Sequence, residues 1–92
     1  MKLSARTQGI KDYAEKLGLS VDVTEVSERS GWLTIKDPSV SRGWLQIIQT
    51  GTGRERKTYS HSAIVAYSAA ADPKHVTMHL ARTIMRGFAE DL

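Results

Sequence analysis

The chain has no cysteine. That excludes a disulfide framework and any thiolate-held metal, and it fits a reducing compartment. Two prolines and seven glycines are too few for a polyproline or low-complexity segment, and no internal repeat is present. Phenylalanine occurs once, and the N-terminal Met1-Lys2-Leu3-Ser4-Ala5-Arg6 is not followed by an apolar run of signal-peptide or membrane-helix length. The chain therefore reads as soluble and cytoplasmic.

What is present is an ordinary globular composition, 40% hydrophobic and 25% charged over 92 residues, which predicts one domain, residues 1–92, with one core. The net charge of +3 is unevenly placed. Residues 1–30 carry five basic and five acidic side chains, whereas residues 31–92 carry eight against five. An excess gathered in one part of a chain suits an anionic partner, although it also serves solubility.

Ile10, Tyr13, Ala14 and Leu17 stripe one helical face, with Ser4 or Thr7 as cap and Gly18 as the stop. Alternation predicts strands over 19–27, 32–36 and 44–49, separated by turns at 27–31 and 37–39. Residues 57–67 have period two, while 63–71 also carry a helical pattern; the strand reading is taken. Asp72-Pro73 reads as the N-cap and first residue of a last helix, with Val76, Leu80, Ile84 and Phe88 at four-residue spacing on its core face and Ala81 and Met85 widening the stripe. The expected fold is α+β: an antiparallel four-stranded sheet flanked by an N-terminal and a C-terminal helix (αββββα). Both helices are expected on the face of Leu33, Ile35, Leu45 and Ile47. The opposite face would then show Trp32, Trp44 and Ile48 among Thr34, Lys36 and Gln46.

Two cationic sets stand out. Arg42, Arg54, Arg56 and Lys57 surround a glycine-hinged turn in the central hairpin; Lys74, His75, His79, Arg82 and Arg86 are assigned to the last helix, the final four in one row. Several cations in register can follow a phosphate backbone, and they can equally form a solvated helix face. Trp32 and Trp44 offer rings for stacking on bases or anchoring a protein interface, or they close the core. His75 and His79 have the spacing of a helical zinc site, but Val76 stands where such hydrolases carry their glutamate, and no third ligand is evident. Ser60-His61-Ser62 lies on a strand, where neighbours point to opposite faces, so no serine is set against that imidazole. Gly51-Thr52-Gly53 lacks the spacing of a nucleotide loop. No enzyme, metal or cofactor is expected.

The order of helix, antiparallel strands and basic helix resembles the double-stranded-RNA-binding domain, whose last helix begins with a lysine-rich phosphate clamp. Here that stretch reads Ala71-Asp72-Pro73-Lys74-His75-Val76-Thr77-Met78, with one lysine. In size, element order and basic character the whole chain also resembles the small cysteine-free phage proteins that act against bacterial defence, in particular anti-CRISPR proteins of type I-F surveillance complexes. The resemblance implies a non-enzymatic inhibitor in the host bacterial cytoplasm. Such an inhibitor would touch Cas subunits and guide-RNA phosphate through a basic surface and block pairing with target DNA. It implies no membrane and no small-molecule substrate. A stand-alone nucleic-acid-binding module and a small dimer built on the tryptophan face are the alternatives.

Replacing Arg54, Arg56 and Lys57 together by alanine should move thermal stability by no more than about 0.5 kcal/mol per site. Partner binding should fall much further. Unchanged binding would remove the basic turn from the contact surface.

Overall fold

The structure, a computed structural model, describes residues 1–39, 43–51, 60–68 and 71–92. Helix α1 (Ala5–Lys16) starts at Ser4, not Thr7: the Ser4 backbone is extended and its hydroxyl oxygen accepts from the Thr7 N–H at 3.2 Å. It ends at Gly18, whose positive φ of 86° lets the Leu19 N–H reach the Ala14 carbonyl at 3.0 Å and the Gly18 N–H reach that of Glu15 at 2.9 Å. Leu19 is thereby folded back against Ala14, and both are buried.

Strands β1 (Val21–Glu25), β2 (Gly31–Lys36), β3 (Trp44–Gly51), β4 (Ser60–Ser68) and β5 (Ala71–His75) follow, and α2 (Met78–Ala89) closes the chain. The strands form an antiparallel meander in the order β1-β2-β3-β4-β5, an open sheet with an edge at β1 and another at β5. Gly31 is required where β2 meets β1, because a Cβ there would collide with the Thr24 carbonyl oxygen.

The register sets the faces. Leu33 pairs with Ile47, Ile35 with Leu45 and Ile47 with Ile64, so these apolar side chains line one face, where α1 contributes Ile10 and Ala14 and α2 contributes Ala81, Met85 and Phe88. Each large side chain so buried stabilises the fold by about 1.5–3 kcal/mol. Both helices lie on that face, as the sequence implies.

Two expectations are corrected. The sheet has five strands, not four, and the last helix begins at Met78, not at Pro73. Asp72 and Pro73 lie in β5, which pairs Val65 with His75 and Ala66 with Lys74 and carries a register shift opposite residues 66–68. Proline is tolerated on an edge strand beside such an irregularity, since it has no N–H to contribute to a ladder. The true cap is Thr77, whose hydroxyl oxygen accepts from the Leu80 N–H at 3.2 Å. Within the expected core stripe the weight falls on Ala81, Met85 and Phe88, and Leu80 lies outside it. Residues four apart advance by about 400°, so a strict four-residue row winds around a helix. Leu80 is accordingly 45% exposed, Ile84 half-buried and Phe88 buried, while Ala81 and Met85 face the sheet.

One polar side chain is built into the core. Gln49, on the helix-covered face of β3, accepts from the Ser4 N–H through Oε1 at 2.8 Å, and its Nε2 donates to the Lys2 carbonyl at 2.8 Å and the Arg29 carbonyl at 2.9 Å. It ties the segment before α1 and the β1–β2 turn to the central strand.

Gln49→Leu would leave those three backbone groups without their partner. On the order of 3 kcal/mol of stability should be lost in chemical denaturation. In the same assay Leu80→Ala should cost under about 1 kcal/mol and Met85→Ala about 2–5 kcal/mol. A reversed order for Leu80 and Met85 would contradict the helix phase.

Candidate functional site

The face of the sheet turned away from the helices carries Trp32, Thr34 and Lys36 from β2, Trp44, Gln46 and Ile48 from β3, Val65 and Tyr67 from β4, and His75 from β5, as the pairings Trp32 with Ile48, Lys36 with Trp44, Trp44 with Tyr67 and Val65 with His75 require. Trp44 and Tyr67, neighbours across the β3–β4 pair, stack with ring centroids 5.0 Å apart and planes 13° from parallel. The Tyr67 hydroxyl donates to Gln46 Oε1 at 3.2 Å, which fixes the tyrosine ring and through it the tryptophan. Trp44 nevertheless remains 39% exposed. Trp32 is half-buried, and the four residues of β3 from Trp44 to Ile48, its pairing partner, place it roughly 14 Å along the strands from the stacked pair. The two tryptophans therefore occupy different ends of one surface. Lys36 is exposed beside Trp44, so the aromatic end of the face has a cation at its rim.

The arginines of α2 stand on the other layer. Arg82 lies with its guanidinium 5.8 Å from the centroid of the Tyr13 ring, and Arg86 donates from Nη1 to the Tyr13 hydroxyl oxygen at 3.1 Å and from Nη2 to Thr83 Oγ1 at 3.1 Å. The Tyr13 ring offers one guanidinium its π-face and the other its oxygen, holding both cations on the α1–α2 surface. His79 is exposed one turn earlier, and the Thr83 hydroxyl donates to its carbonyl at 3.2 Å. The row His79, Arg82, Arg86 is thus real. His75 is not part of it.

The sequence-derived candidates therefore divide. Lys74 and His75 belong to β5 and not to a helix, which removes the helical spacing that made His75 and His79 look like a metal pair. Among the described residues no group of three or more His, Cys, Asp or Glu side chains could hold a metal ion. No described helix is long and apolar enough to cross a membrane. Arg42, Arg54, Arg56 and Lys57 lie outside the described residues. Trp32 and Trp44 share a sheet face, and Arg82 and Arg86 share a helix face, with the sheet between the two sets. Sequence reading did not single out Tyr67 or Tyr13 as the neighbours that hold the candidate residues. Tyr67 could have been found, since its period-two alternation and a hairpin register place it opposite Trp44. Tyr13 could not, because its role depends on how two helices distant in sequence lie together.

No protein-family model, curated protein or solved structure matches this chain.

Proposed function

We propose that this is a non-catalytic binding protein that docks the open face of its sheet on a protein subunit of a ribonucleoprotein assembly. The type I-F CRISPR surveillance complex, implied by the chain's resemblance, is the first assembly to test. The observation that carries the reading is the stacked Trp44–Tyr67 pair, with Trp44 exposed and Tyr67 half-buried and bonded to Gln46, on a face that no described element covers. Large aromatic rings with few rotatable bonds are the side chains that dominate protein interfaces, and Lys36, Thr34 and Gln46 supply a polar rim around them. The division of charge favours a protein over naked nucleic acid. The arginines of α2 stand on the far layer, and Lys36, the one lysine or arginine among the described residues of the open face, cannot by itself track a phosphate backbone. Blocking of target-DNA pairing would follow from occupying a Cas subunit surface beside the guide RNA.

Binding of the purified type I-F complex, free guide RNA and free duplex DNA should be compared by biolayer interferometry across a salt series. The proposal expects binding to the assembled complex. Trp44→Ala should weaken it by at least about 2 kcal/mol, roughly thirtyfold, while Arg82→Ala and Arg86→Ala change it little. Tight binding of free RNA or DNA with a steep salt slope would favour a nucleic-acid module instead. Failure to bind the complex would end the CRISPR reading.

A further inference from the structure

Beyond Thr83, whose hydroxyl oxygen accepts from Arg86, α2 borders a cavity of about 310 Å³ lined by Asp37, Thr83, Ile84, Gly87 and Phe88. Its size is at the lower end of ligand sites, enough for one side chain or a small organic ion. Asp37, just beyond the end of β2, is only 5% exposed. Its Oδ1 accepts from the Ser39 N–H at 2.8 Å, but its Oδ2 is buried without a hydrogen-bond partner among the described residues. A buried carboxylate oxygen with nothing to accept forfeits its hydration for no return, so packing gives no reason for it.

Gly87 makes the same point independently. It sits inside α2 at an ordinary backbone conformation, and a Cβ added there would meet nothing within 4 Å. Glycine in a helix interior is less stable than alanine, and neither conformation nor crowding calls for it here. Its effect is to leave the cavity open. Ile84 and Phe88 make the walls apolar, and exposed Leu80 extends the same flank by one turn.

We propose that this cavity is a binding site for a cationic side chain, arginine or lysine, presented by a basic partner peptide. The aliphatic stem packs on Ile84 and Phe88, and the charged head supplies the donor that Asp37 Oδ2 lacks. A metal ion is a poorer fit, since one carboxylate with no further ligand cluster among the described residues does not make a coordination shell. An anion is repelled by the same carboxylate. The site lies on the helix side of the sheet, apart from the aromatic face, so it stands or falls independently of the function proposed above.

The test is a ¹H–¹⁵N NMR titration of the full chain with Nα-acetyl-arginine methylamide, with the uncharged Nα-acetyl-norleucine methylamide and free L-arginine as comparisons. The proposal expects the capped arginine to shift the amides of Ser39, Thr83, Gly87 and Phe88, with a Kd on the order of 1 mM. The norleucine derivative should leave them unmoved. Asp37→Asn keeps an oxygen for the Ser39 N–H and should weaken binding by about tenfold or more. Gly87→Leu, which fills the cavity, should abolish it. No shifts around the cavity, or equal affinity in Asp37→Asn, would overturn the site. If Asp37→Asn fails to fold, retained binding by Gly87→Leu overturns it equally. Tighter binding of free L-arginine than of the capped form would overturn the assignment to a peptide.

Discussion

Two helices of twelve residues cover one face of a five-stranded sheet and no more. Five strands span roughly 19 Å across their hydrogen bonds, and two helices packed side by side at about 10 Å each match that width once. The face they cover must then be apolar on every central strand, which is how Leu33, Ile35, Leu45, Ile47 and Ile64 come to be buried together. The same arithmetic leaves the other face with no described cover. Trp44 and Tyr67 stand there because the register opposes them, and half-exposed rings in a pair shield each other from water better than apart.

Within the covered layer, polar and charged groups are placed by the gaps between elements. Gln49 fills the end of the core where the N-terminal segment, the β1–β2 turn and β3 converge, and it satisfies three backbone groups that no ladder reaches. Tyr13 occupies the seam between the helices and holds Arg82 and Arg86. On another flank of α2 no such partner among the described residues meets Asp37 Oδ2, and a cavity is found instead. The contrast between the two flanks is what makes the second one a candidate site.

Much of this was legible from residue order. Alternation in β2 and β3 depends only on which side chains must avoid water, and it gave both strands and their faces to within two residues. Glycine after Leu17 marked the end of α1 for a purely conformational reason. The start of α2 was misread because Asp72-Pro73 and Thr77 are both helix-initiating signals, and local chemistry does not choose between them. The choice is made by β4, whose outer edge takes residues 71–75 as a partner strand and thereby postpones the helix. A tertiary hydrogen-bonding demand overrode a local propensity. The exposure of Leu80 has a separate cause: a row of four-residue steps winds around the helix, so Ala81 and Met85 meet the sheet while Leu80 lies outside. Likewise the candidate site was legible as a list of residues but only in part as a grouping. The separation of the tryptophans from the helix arginines followed from the predicted faces, whereas the removal of His75 from the α2 row and the gathering of Arg82 and Arg86 on Tyr13 did not.

Docking through the aromatic face requires that the sheet face of Trp44 be open in the free protein and covered in the complex. A Trp32→Phe variant, which leaves Trp44 as the single tryptophan, allows that to be read directly by acrylamide quenching of its fluorescence. Quenching should be ready in the free protein, with marked protection when the partner assembly is added. A Trp44 already shielded in the free protein, or equally quenched with the partner bound, would contradict docking through that face.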